Sequence, residues 1–365
     1  MIKNKDNVYV FHPGEILKDF LSARNLKQKE FAERCGITEK HLSEILNAKV
    51  PLSIDIAMKF GAVLHENYKT WLNMQNEYDI AIEDEKINSE LANPVVENIV
   101  NLFPIKDMMD LGLLSGKTFV EKARSLLSFF KIAKIDNLIN LSNKYYAVKY
   151  RKIGNNYSEP NKKQAADAVL CRWGEMIVEK KEVKNKFTKE KFLEAIRKIR
   201  NNATIDFYEW IKFAQTECEK AGVIFIITNK IKNANASGIS YLINKIPVIH
   251  LTIRQKCVDT IMFSFFHEAY HILNILKNKD IKIEELENEE NEANNYSKNI
   301  LIPSKEWNNF SSAYRWTKDT MISFANKMNL PVDCILGRLQ KEGFIDYNKF
   351  TNLKQEIDFS KIIER

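Results

Sequence analysis

Phe263-Ser-Phe-Phe-His267-Glu268-Ala-Tyr-His271 sets two histidines four residues apart, with a glutamate directly after the first. On a helix this spacing stacks both imidazoles on one face, one turn apart. Two ligands of a tetrahedral zinc ion need that placement, and Glu268 can then reach a zinc-bound water as general base. Zinc lowers the pKa of such a water to about 7, so the chemistry implied is metal-assisted hydrolysis at neutral pH. The chain has only six histidines, and two fall in this turn. The surrounding stretch is apolar, where unpartnered imidazoles and a carboxylate would be costly to bury. A third protein ligand must come from elsewhere. Glu292 is the expected one, because the segment 287–303 reads as a second helix and Glu292 shares an apolar face with Ala293, Tyr296 and Ile300. Glu289 and Glu290 compete for the role and read as solvated.

A second constellation lies near the other end. Lys27 to Asn47 reads KQKEFAERCGITEKHLSEILN, two short helices joined by a bend at Gly36. Thr38 occupies the N-cap position of the second helix. This is the helix-turn-helix layout, which presents the first turns of one helix to the major groove while the preceding helix braces the phosphates. Gln28 can donate to a phosphate. Thr38, Glu39, Lys40, His41 and Ser43 form the outward face that meets bases or backbone. Residues 1–78 hold 11 basic and 10 acidic side chains, so one module neutralises few phosphates. A homodimer, which doubles the contacts, is therefore expected.

The elements that must position these groups follow from periodicity. Residues 13–78 read as five short helices with Ile16, Leu17, Phe31, Leu42, Ile56, Phe60 and Trp71 inside. Residues 79–93 are polar and acidic, a helical tail or linker closed by Pro94. Residues 95–222 are mostly amphipathic helix. Two β-branched runs, 222–228 and 246–252, flank 239–242 and suggest a small antiparallel sheet. Helices follow over 258–276, 285–301 and 317–341. The expected class is mainly α with a small antiparallel sheet (α+β).

Composition narrows the function. The 365 residues are 45% hydrophobic and 28% charged, which excludes a disordered or fibrous chain. The formal charge is +7, yet the surplus sits in residues 93–220, with 24 basic and 16 acidic side chains. Cys35, Cys171, Cys218, Cys257 and Cys334 are scattered, which reads as reduced thiols in the cytoplasm. The first 15 residues show no apolar core of a secretory signal, and no run suggests a membrane span. Among weaker signals, His250 reads as a surface strand histidine before an oxyanion donor, and Tyr296 as a packing residue. Arg254 and Asp259 suggest a structural ion pair, and lysine-rich 180–200 a solvated face.

Residues 11–80 resemble the HigA-type antitoxins of the XRE helix-turn-helix family. The residues that carry this are His12–Glu15, the helix-turn-helix itself, and Trp71-Leu-Asn-x-Gln75-x-x-Tyr78-Asp79. The resemblance implies a dimeric repressor of its own operator, with double-stranded DNA and often a toxin as partners. Residues 215–305 resemble the ImmA/IrrE family of gluzincin-like metallopeptidases, on Ala221–Val223, Ser237-Gly238, Pro247–Leu251, Arg254, Asp259, Phe263–His271, Glu292–Asn294 and Leu301–Pro303. That resemblance implies zinc held by His267, His271 and Glu292, Glu268 as base, and proteolysis of a regulatory protein. Ala269 and Tyr270 stand where relatives commonly carry a small residue and glycine.

The expected organisation is thus a helix-turn-helix domain at 1–80, a linker at 81–94, a basic helical middle at 95–214, a peptidase-like core at 215–305 and a helical extension at 306–365. The leading expectation is a cytoplasmic DNA-binding regulator fused to a zinc peptidase. A non-catalytic repressor or antitoxin, whose second half senses a partner or ligand, is the alternative. An enzyme whose helix-turn-helix makes only protein contacts is a third.

Overall fold

The computed structural model describes residues 2–3, 8–141, 161–182, 184–234, 237–253, 257–274, 283–312, 315–355 and 357–362. Arg254, expected to pair with Asp259, lies outside them. Contacts divide the chain into two compact units, residues 1–97 with 118–120, and residues 98–117 with 121–365.

The first unit begins with a two-stranded ribbon that the sequence did not suggest, β1 (Ile2–Lys3) antiparallel to β2 (Tyr9–Val10). Five helices follow, as the periodicity predicts: α1 (Pro13–Ala23), α2 (Gln28–Cys35), α3 (Glu39–Leu46), α4 (Ile54–Leu64) and α5 (Tyr68–Leu91). Side-chain caps start four of them: His12, Thr38, Ser53 and Asn67 accept from backbone N–H groups that no helical carbonyl can reach. Leu17, Phe31, Leu42, Ile45, Phe60 and Trp71 are the fully or nearly fully buried centre. The expected boundary at residue 80 falls inside α5, which continues unbroken to Leu91.

The rest of the chain is also mainly helical: α6 (Pro94–Val100), α7 (Ile105–Asp110), α8 (Phe119–Phe129), α9 (Lys162–Val178), α10 (Lys189–Asn201) and α11 (Phe207–Lys220). Three strands come next, β3 (Ile224–Asn229), β4 (Gly238–Ile243) and β5 (Ile246–Ile253). The chain then forms α12 (Val258–Asn274), α13 (Ile283–Leu301), α14 (Ser304–Ser311), α15 (Lys318–Met328) and α16 (Val332–Lys341).

The sheet corrects the expectation of an antiparallel one. Its order is β3-β5-β4, with β4 antiparallel and β3 parallel to β5, so it is mixed. Asn244 and Lys245, both at positive φ, make a two-residue hairpin that returns β5 into the middle of the sheet. β3 therefore meets β5 rather than its sequence neighbour β4. Pro247 to Ile253 is buried at every position, which explains its continuous apolar run.

One core joins Phe192 to Ile362. The packing thus crosses the boundaries expected at 214 and 305, because α10, α11 and α16 close over the same sheet and α12. Phe265 of α12 fixes that helix in place, 4.9 Å from the Phe225 ring of β3 and 5.7 Å from Trp210 of α11. From Lys189 onward the lysine-rich stretch lies on α10, whose Phe192, Ala195, Ile196 and Ile199 point inward. Arg200 at its end donates to the carbonyls of Ile300, Leu301, Met328 and Asn329, tying down the C-termini of α13 and α15.

Candidate functional site

In the first unit, α2 ends at Gly36, whose φ of 62° lies in the left-handed region that glycine adopts without strain. Thr38 Oγ1 accepts from His41 N, opening α3. Gln28, Thr38, Glu39 and Lys40 are exposed, and His41 and Ser43 half-buried. Asn47, not foreseen from the sequence, donates to the Ser43 carbonyl and accepts from Lys18 Nζ, bracing the end of α3.

The His12–Glu15 and Trp71–Asp79 segments turn out to hold one another. His12 Nδ1 accepts from Gly14 N, and its ring meets Tyr78 edge-on at 5.0 Å. Gln75 accepts from Leu52 N and donates to Asp79. Trp71 packs edge-on against Phe20 and Phe60. A Cβ on Gly14 would stand 1.9 Å from the Ile45 carbonyl oxygen, so only glycine lets α1 pass this close to α3.

In the second unit, α12 and α13 pack side by side, and Ser297 Oγ donates to the Phe263 carbonyl across them. His267 and His271 lie on the α12 face that meets α13, with Nε2 atoms 3.3 Å apart. The Glu290 carboxylate reaches both, 3.2 Å from His267 Nε2 and 3.4 Å from His271 Nε2. Ligand atoms of these three residues lie within 4.8 Å of one another. The far nitrogens are also held: His267 Nδ1 lies 3.1 Å from Asn294 Oδ1, and His271 Nδ1 lies 3.2 Å from Glu289 Oε1. In the neutral rings both acceptors call for an Nδ1–H tautomer, which turns the two Nε2 lone pairs toward one point. Two imidazoles, one carboxylate and acceptors behind the rings fit zinc.

Glu292 is not brought to this point. It accepts a hydrogen bond from the Tyr270 hydroxyl instead. Residues two apart on a helix point some 200° away from each other, so Glu290 and Glu292 cannot both reach the histidine pair. Ala293 and Ser297, both fully buried, mark the facing side, together with Glu290 and Asn294. Small residues at that spacing were the signal available in the sequence. Glu289, expected to be solvated, is buried behind His271.

Electrostatics follow the geometry. Burial alone would lower the His271 pKa, but the carboxylates of Glu289, Glu290 and Glu268 override it and push it up to about 9. Hydrogen bonds from His267 and His271 hold Glu290 far below the usual carboxylate range. Burial, then Glu292, pushes Tyr270 up to about 12.

Glu268 is buried and makes no hydrogen bond among the described residues. It lies over β4, where a Cβ on Gly238 would stand 2.8 Å from its Oε1. His250 departs from the expected surface position. It is fully buried, with Nε2 2.7 Å from Thr228 Oγ1 and Nδ1 3.1 Å from the Tyr241 hydroxyl. Its register against Ile226 and Ile239 puts it in the centre of the sheet. Asp259 pairs with Lys354 at 3.8 Å.

Residues 17–67 match the helix-turn-helix family. The N-terminal unit contains a helix-turn-helix domain. Its sequence is 29% identical over 76 residues to the uncharacterized HTH-type transcriptional regulator YddM of Escherichia coli, covering 21% of this chain and 81% of that protein. It is 26% identical over 100 residues to virulence-associated protein I of Dichelobacter nodosus, covering 27% and 93%. Among solved structures, an addiction module antidote protein of a HigA family from Coxiella burnetii is 25% identical, with 23% and 92% covered and a TM-score of 0.22. The helix-turn-helix assigned to α2 and α3 thus agrees with the family match. All five cysteines are free, and among the described residues no helix is long and apolar enough to cross a membrane.

Proposed function

We propose that the protein is a cytoplasmic, antitoxin-like transcriptional regulator whose second unit is a zinc-dependent peptidase of the ImmA/IrrE type. The carrying observation is the convergence of His267 Nε2, His271 Nε2 and the Glu290 carboxylate, with Asn294 and Glu289 behind the imidazoles. His267, His271 and Glu290 would hold the metal, in place of the expected set with Glu292. Zinc, when bound, supplies a Lewis acid that polarises a peptide carbonyl and acidifies water. Glu268 takes a proton from the attacking water and passes it to the leaving amine. Its carboxylate is free for this, because no described residue donates to it. Gly238 leaves the room that the Glu268 side chain occupies.

The helix-turn-helix addresses operator DNA as a homodimer. Gln28 and Lys40 meet phosphates, while Thr38, Glu39, His41 and Ser43 line the groove-facing surface. A cognate toxin or a cleaved repressor is the protein partner. Two experiments test the reading. A gel shift with the protein's own upstream DNA should show a complex at low salt, and its absence removes the operator role. Glu268→Gln should retain zinc and lose every phenotype that depends on cleavage. If it keeps them all, the second unit is a sensor and not a peptidase.

A further inference from the structure

The basic surplus of the middle region has a local focus. A cavity of about 510 Å³ opens between α8 and α9, within the range of small-molecule sites. Phe129 and Met176 give it apolar walls. Arg172, Lys131, Lys180 and Glu179 are its charged lining, three cations against one carboxylate.

Arg172 is the unusual member. Its side chain is only 5% exposed, on a helix buried along most of its length. Isolating a guanidinium from water is costly unless its donors are used. Nε donates to the Phe129 carbonyl, and Nη1 to Glu175 and Glu179. Among the described residues, Nη2 has no acceptor. Glu179 also pairs with Lys131 at 2.9 Å, yet its side chain is 43% exposed. It sits at the C-terminal cap of α9, where the helix dipole disfavours a negative charge. Glu179 is thus a counter-ion held by two cations at a place where only they favour it.

We propose that this cavity binds a small organic anion, a carboxylate or phosphate head on an apolar body. The head pairs with Arg172, Lys131 and Lys180 and displaces Glu179, while the body lies against Phe129 and Met176. The site is separate from the histidine cluster and independent of zinc. It would give the second unit a ligand input whether or not it cleaves peptides.

Calorimetric titration of the full-length protein tests this with four probes: benzoate, phenyl phosphate, phenol and inorganic phosphate. At least one of benzoate and phenyl phosphate should bind saturably, and their ratio tells carboxylate from phosphate. Lys131→Glu with Lys180→Glu, both exposed positions, should weaken binding by about tenfold or more. Glu179→Gln, which removes the competing carboxylate, should tighten it severalfold. Phenol binding as tightly as both anions would overturn recognition of charge. Inorganic phosphate binding as tightly as phenyl phosphate would overturn the apolar body. Failure of both organic anions to bind, or no tightening in Glu179→Gln, would overturn the site.

Discussion

His267 Nε2 and His271 Nε2 stand 3.3 Å apart, and the Glu290 carboxylate lies within 3.4 Å of each. Elemental analysis of the purified protein should therefore find about one zinc per chain. Glu290→Ala should lose most of it, whereas Glu292→Ala should keep it. The reverse pattern would restore Glu292 as the third ligand.

Asn294 and Glu289 hold the far nitrogens of the two imidazoles. Such partners typically contribute about 10–100-fold to metal affinity. Asn294→Ala and Glu289→Gln should each weaken zinc by that order in chelator competition, with little change in circular dichroism. Unchanged affinity in both would mean the rings are oriented by packing alone.

Lys40 is exposed at the start of α3. As a phosphate contact, it should weaken binding to all DNA sequences alike when replaced by alanine. The slope of log affinity against log salt should then shrink by about 1. A Lys40→Ala protein with an unaltered salt slope would place that side chain away from the phosphates.

His12 couples the fold of the first unit to pH. Burial lowers its pKa, against the raising influence of Glu15 and Asp79. Its Nδ1 must also be unprotonated to accept from Gly14 N. The folded state therefore binds this proton less readily than the unfolded chain. Its contribution is complete above the unfolded value of about 6.5 and fades as pH falls below it. Thermal melts of the full chain should show a first-unit transition that drops between about pH 6.5 and 5. In His12→Asn, which can still cap α1, that extra drop should vanish. An equal drop in both would assign the acid sensitivity to other groups.

The sequence by itself determined whatever depends on neighbours along one element. The His267–His271 turn, the Thr38 cap, the Gly36 bend and the apolar faces of α1 to α5 are set by spacing of three or four residues and by local backbone preference. Tertiary structure decided what depends on how elements rotate and cross. The rotation of α13 against α12 chose Glu290 over Glu292 and buried Glu289. A hairpin at Asn244-Lys245 slipped β5 between β3 and β4, making the sheet mixed and enclosing His250. Packing also drew residues 192–362 into one core and placed Arg172 beside Lys131 and Lys180. Side-chain periodicity shows which residues share a face, but only the packed partner fixes what that face meets.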